Sequence, residues 1–203
     1  MKKEWDGLNM TNEMKEGKKE YVFLSVVGKD RPGIVASVLQ VLYRNRCNIE
    51  ALSQTTITGQ FAMILIASTL SEGILGELQK DCDPLAKDQG LEIHLKGILP
   101  EEMVPYRAGE TEPFVITVQG EDRPGLAYGV SQVLSEWGVN ITNLDARVAF
   151  IGQKLEYIQI YQVDIPKELD FGILHERLRE RGAEMKVAID LQHRGVFRAI
   201  NQI

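Results

Sequence analysis

Apolar and polar positions along this chain fall into two kinds of pattern, and the patterns come in the same order twice. Tyr21 to Val27 is a run rich in β-branched residues that ends at Gly28, which predicts a strand. Ile34, Val35, Val38, Leu39, Val41 and Leu42 then recur at helical spacing. Pro32 stands just ahead of them, where a first helical turn tolerates a missing N–H. Residues 47–57 and 60–70 read as strands joined at Thr58-Gly59, a pair suited to a tight hairpin turn. An amphipathic helix over 71–89 ends near Gly90, and Leu91 to Leu95 alternates as a closing strand. The second set repeats this order. Leu126, Val130, Val133, Leu134 and Trp137 line its first helix. Strands follow at about 139–150 and 154–164, turning at Gly152. Pro166 is expected to start a second helix with Leu169, Ile173, Leu174 and Leu178 inside and Gly182 as its C-cap. Lys186 to Leu191 closes the sheet.

The repetition extends to the letters. VFLSVVGKDRPGIVASVLQVLYRNRCNIEAL (22–52) returns as FVITVQGEDRPGLAYGVSQVLSEWGVNITNL (114–144), with 13 of 31 positions identical and no gap. Asp30 matches Asp122, Pro32 matches Pro124 and Asn48 matches Asn140, each 92 residues on. The chain therefore divides into two domains, 20–99 and 113–192, joined by a linker over 100–112. Residues 1–19 read as a solvated, disordered extension and 193–203 as a mildly basic, amphipathic tail expected to pack on the second domain, with docking to a partner the lesser alternative. Strand, helix, strand, strand, helix, strand is the order of a ferredoxin-like α+β fold, βαββαβ, with helices on one face of an antiparallel sheet. The bare sheet faces and edges need cover, so the two sheets are expected to pair side by side.

Composition narrows the function. The chain of 203 residues is 44% hydrophobic and 26% charged, as expected of globular domains. Its net charge of −6 includes −1 over 21–100 and −4 over 113–192. No basic stripe is available to displace counterions from phosphates, which argues against direct binding of nucleic acid. The longest apolar run, Phe61 to Ala67, is far short of a membrane span, and the N-terminus has no secretory pattern, so the expected location is cytoplasmic. Cys47 and Cys82 make no disulfide framework and no metal site.

The repeated residues concentrate in GKDRPGI (28–34) and GEDRPGL (120–126), at the turn from a strand into a helix. A helix start leaves N–H groups unpaired and favours a carboxylate, while an aspartate beside it can meet an ammonium. Asp30 and Asp122 with those donors could therefore hold the two ends of an α-amino acid. Asn48 and Asn140 open the next strand, and their amides both donate and accept. A plainer reading also fits: Asp and Pro at a helix start are ordinary capping chemistry, and Gly33 and Gly125 serve packing. No enzymatic set of residues is found. The GKDRPG glycines have Ile34 where a phosphate loop needs Lys. His94, His175 and His193 are isolated in sequence, and Asp81-Cys82-Asp83 lacks the rest of a calcium loop and reads as a polar helix face.

A strand, then DRPG, an apolar helix and (C/V)NI resembles the ACT domain, over both repeats and almost the whole ordered chain. Two such domains with no catalytic domain attached are similar to the glycine cleavage system transcriptional repressor family. The resemblance implies no enzyme activity and no cofactor. It implies a small amino-acid effector, glycine or similar, and a protein partner such as a transcription regulator, with a homodimer as the possible assembly. The effector positions it carries over are Asp30, Arg31, Gly33 and Asn48 in the first repeat, and Asp122, Arg123, Gly125 and Asn140 in the second. Many effector-binding ACT domains have His or Asn in this loop where these repeats have Gly28 or Asp30, which leaves the ligand's identity open. A regulatory subunit of an amino-acid metabolic enzyme, or a scaffold that binds no ligand, are the alternative roles.

Overall fold

The structure, a computed structural model, describes residues 19–104, 109–151 and 154–195. It divides into two units at Val104/Pro105. The first runs β1 (Glu20–Lys29), α1 (Ile34–Arg44), β2 (Asn48–Ile57), β3 (Gln60–Thr69), α2 (Ile74–Gln89) and β4 (Leu91–Ile98). The second runs β5 (Thr111–Gly120), α3 (Leu126–Glu136), β6 (Asn140–Ile151), β7 (Lys154–Pro166), α4 (Phe171–Met185) and β8 (Ala188–His193). The sheet orders are β2-β3-β1-β4 and β6-β7-β5-β8, with every neighbouring pair antiparallel. Both units are thus ferredoxin-like, as the hydrophobic pattern predicts.

In each unit the alternate strand residues that face the helices make the core. Val22, Leu24 and Val26 of β1 and Met63, Leu65 and Ala67 of β3 are buried with Ile34, Val38 and Leu42 of α1 and Leu78 of α2. The second core is built from Phe114, Ile116, Val118, Tyr161 and Val163 against Val130, Val133, Leu134, Leu174 and Leu178. Cys82, expected on a polar helix face, is instead a core residue of α2, because Asp81 and Asp83 turn outward on either side of it.

Thr58 and Gly59 have φ of 46° and 78°, so β2 and β3 are joined by the two-residue turn that left-handed residues allow. The expected turn at Gly152 lies outside the described residues, as do 1–18, linker residues 105–108 and tail residues 196–203. The second hairpin is longer, with strands of 12 and 13 residues against 10 and 10. Leu24 pairs with Leu65, and Ile116 with Tyr161, so the repeat offset grows from 92 before the hairpin to 96 after it.

Two expectations for the last helix are corrected. Pro166 ends β7 and does not start α4; the N-cap is Asp170, whose carboxylate accepts from the N–H groups of Gly172 at 2.8 Å and Ile173 at 3.3 Å. Gly182 is not the C-cap but lies inside the helix, which ends at Lys186 in the left-handed region. A Cβ at Gly182 would stand 2.8 Å from the Val187 carbonyl oxygen, so that glycine serves the close passage of helix over strand. Pro32 likewise precedes α1, whose N-cap is Gly33.

Candidate functional site

The motif loops 28–33 and 120–125 leave the first strand of each unit and lead into the first helix. At Gly28 and Gly120 the chain entering the last strand passes close: a Cβ would lie 2.6 Å from Leu91 Cδ2 and 2.7 Å from Val187 Cγ1, so any larger residue would force those side chains to shift. Gly33 and Gly125 are the N-caps of α1 and α3, at φ of 97° and 94°. Those angles favour glycine, which has no Cβ to clash.

Neither helix start is capped by a side chain. Ordinary capping by Asp30 and Asp122 is therefore not what the structure shows. Both aspartates are exposed, and their carboxylates have no hydrogen-bond partner among the described residues. The Asp30 backbone is fixed, since its N–H donates to the Gly59 carbonyl at 2.9 Å across the hairpin turn. Arg31 donates through Nη2 to the carbonyl of Gln89 at 3.0 Å, tying the first loop to the end of α2. Gln89 Nε2 donates to Ser37 Oγ at 2.9 Å, which donates in turn to the Gly33 carbonyl at 3.0 Å. The second loop is held differently. Arg123 Nε is buried without a hydrogen-bond partner and lies 3.8 Å from Glu121 Oε2.

The asparagines do not join these loops within their own units. Asn48 pairs with Ser68, which pairs with Tyr21, while Gly28 pairs with Phe61 at the other end of β3. Strand spacing puts roughly 23 Å between the two ends. Asn140 is placed in the same way, paired with Asp164 while Gly120 pairs with Tyr157. The cause is the topology: β2 runs parallel to β1, so its first residue lies beside the start of β1 and not its end. Near Asn48, Glu50 accepts from Ser68 Oγ, and that bond, with Lys19 beside it, lowers its carboxyl pKa below the ordinary value.

Residue patterning missed a buried polar cluster beneath α3. Tyr161 is fully buried, and its hydroxyl lies 2.7 Å from Oε1 of Gln159, itself 1% exposed. Burial pushes the Tyr161 phenol up to about 12. The available signal was the repeat itself, which aligns Gln159 with Met63 and Tyr161 with Leu65 once the longer hairpin is allowed for.

The sequence pattern of the ACT domain family matches residues 20–96 and 112–192. The chain belongs to the ACT domain family. It is a tandem ACT-domain regulatory protein whose two ACT domains are the two units described above. The UPF0237 protein of Methanopyrus kandleri is 33% identical to it over 90 residues, 44% of this chain and 96% of that protein. The UPF0237 protein of Methanococcus maripaludis is 36% identical over 93 residues, 45% of this chain and 99% of its own length. Each of those relatives is therefore about one ACT domain long. Two solved structures share the tandem fold. A protein of unknown function from Galdieria sulphuraria has a TM-score of 0.69 at 24% identity, covering 87% of this chain and 99% of that one. A candidate glycine cleavage system transcriptional repressor has a TM-score of 0.62 at 18% identity, covering 86% and 97%. At these identities the likeness is one of fold. Among the described residues, no helix is long and apolar enough to cross a membrane.

Proposed function

We propose that this tandem ACT protein senses a small amino acid, glycine or one of similar size, at the strand-to-helix loops, and passes its state to a protein partner such as a transcription regulator in the cytoplasm. One observation carries the reading: in both domains an exposed aspartate with no internal partner stands beside a helix start that no side chain caps. A carboxylate and unpaired helix donors match the ammonium and carboxylate ends of an α-amino acid. The acidic domains also suit action through a protein partner better than action on DNA.

The ligand's size bounds its affinity. Glycine has five non-hydrogen atoms, and the best tiny ligands gain about 1.5 kcal/mol per atom, a ceiling of about −7.5 kcal/mol. That corresponds to a few micromolar at best, so sensing would operate at roughly tens of micromolar to millimolar. The reading is tested by following backbone amide signals of the full chain while each of the twenty amino acids is added. The expected result is a saturable shift at 28–34, 120–126 or both with at least one small amino acid. Shifts confined to other parts of either sheet, or none with any amino acid, would remove the reading.

A further inference from the structure

The two domains share fold and loop motif, so each is a control for the other. Under the first helix of the first domain the core is apolar, with Leu39, Met63 and Leu65. The matching positions in the second domain are Ser131, Gln159 and Tyr161. Tyr161 pairs with Ile116 as Leu65 pairs with Leu24, and Gln159 pairs with Val118 as Met63 pairs with Val26. Ser131 follows Leu39 by the repeat offset. The Tyr161 hydroxyl lies 3.4 Å from the carbonyl oxygen of Ala127, the second residue of α3, as well as against Gln159 Oε1. The phenolic proton has one good acceptor, Gln159 Oε1 at 2.7 Å. The other end of the amide, Nε2, is buried with no hydrogen-bond partner.

A buried donor left unpaired costs about 1–3 kcal/mol, and native structures seldom keep one without use. The first domain shows that the fold does not need it, since Met63 fills the same place. The amide is held by the phenol, whose hydroxyl also lies 3.4 Å from the Ala127 carbonyl oxygen in the first turn of α3, which places Gln159 near that turn. Gln159 is two residues from Tyr157, the partner of Gly120 where the loop begins, about 7 Å along the strand. Arg123 Nε, buried without a hydrogen-bond partner and ion-paired to Glu121 Oε2 at 3.8 Å, sits two residues before the Gly125 N-cap. In the first domain the matching arginine, Arg31, is bonded to Gln89, and among the described residues there the buried side-chain atom without a hydrogen-bond partner is an acceptor, Gln89 Oε1.

We infer that the ligand loop of the second domain is the one that binds, and that Gln159 Nε2 donates to a carboxylate oxygen of the ligand at the first turn of α3. The inference rests on the amino-acid reading above and adds which of the two loops acts and which ligand group the protein's interior reads. Donors for the carboxylate come from α3 and Gln159, with Arg123 beside them, while Asp122 meets the ammonium. The first domain, with a spare acceptor and a committed arginine, keeps the fold without this function.

The test is calorimetric titration of the full chain with the tightest binder among the twenty amino acids, and with acetate as a carboxylate lacking the ammonium. Gln159→Met copies the first domain's residue, so it should fold. Binding of the amino acid is expected to weaken about tenfold or more, and acetate heat to vanish. In the unaltered protein the side-chain amide proton of Gln159 should shift as the amino acid is added, a readout that holds even if the variant folds poorly. Unchanged affinity in Gln159→Met, or a silent Gln159 amide in a protein that binds, would overturn this inference and leave the amino-acid reading standing. Failure of every amino acid to bind the unaltered chain would overturn both.

Discussion

Desolvation holds the Cys82 thiol up at about 11 in the first core, and the Asp81 and Asp83 charges add to the shift. Tyr161, raised to about 12 mainly by burial, is the counterpart in the second core. The sign of the consequence follows from the unfolded chain, where a thiol and a phenol ionise near 9.0 and 10.0. Above those values the unfolded state sheds protons that the folded state keeps, so stability falls as pH rises. Urea unfolding midpoints should be flat with respect to these groups below pH 9, then drop from about 9 to 11 through Cys82 and from about 10 to 12 through Tyr161. Cys82→Ala should flatten the lower part of that slope and Tyr161→Phe the upper part. An unchanged alkaline slope in both variants would contradict these assignments. Exposure, not residue type, decides these cases. Asp81-Cys82-Asp83 looks polar as letters, yet the middle residue is the one that helical phase turns inward.

The elements were legible where local chemistry dominates. Helical spacing located α1 and α3, and Thr58-Gly59 marked its turn, because a two-residue hairpin tolerates few other pairs. The boundaries of α4 were not legible. Pro166 and Gly182 carry the usual signals of a helix start and end, but β7 runs on through the proline and tertiary packing uses the glycine. The polar cluster under α3 was hidden for a related reason. In Tyr157-Ile158-Gln159-Ile160-Tyr161 alternation alone favours the isoleucines inside, whereas pairing with β5 puts Gln159 and Tyr161 there. The asparagines were placed on the right strand, but at an end that only the parallel run of β2 and β1 decides. The repeat also makes a prediction about helix ends. Arg46 after α1 has φ of 55°, where its counterpart Gly138 after α3 has φ of 64°. A side chain in the left-handed region costs about 1 kcal/mol, so Arg46→Gly should stabilise the first domain by about that much in chemical unfolding. A loss of stability would show that the Arg46 side chain contributes something the backbone does not reveal.

At the scale of the whole molecule, the proposed action through a protein partner rests on charge. With net charges of −1 over 21–100 and −4 over 113–192, the isolated chain should not bind duplex DNA at about 150 mM salt. Micromolar binding without a partner, measured by anisotropy, would contradict action through a protein. Two ACT domains in one chain also allow one to bind and the other to serve the fold, and the unequal loops at Arg31 and Arg123 fit that division. The central claim, that the loop aspartates hold an amino acid, is met most directly by one calorimetric comparison: the full chain against the Asp30→Ala/Asp122→Ala double variant, each titrated with the same amino acid. Neither carboxylate caps its helix, so the variant should unfold within about 0.5 kcal/mol of the parent. Its affinity should fall at least tenfold, as expected when a charged partner is lost. An equally stable double variant that binds the amino acid as tightly as the parent would contradict the account.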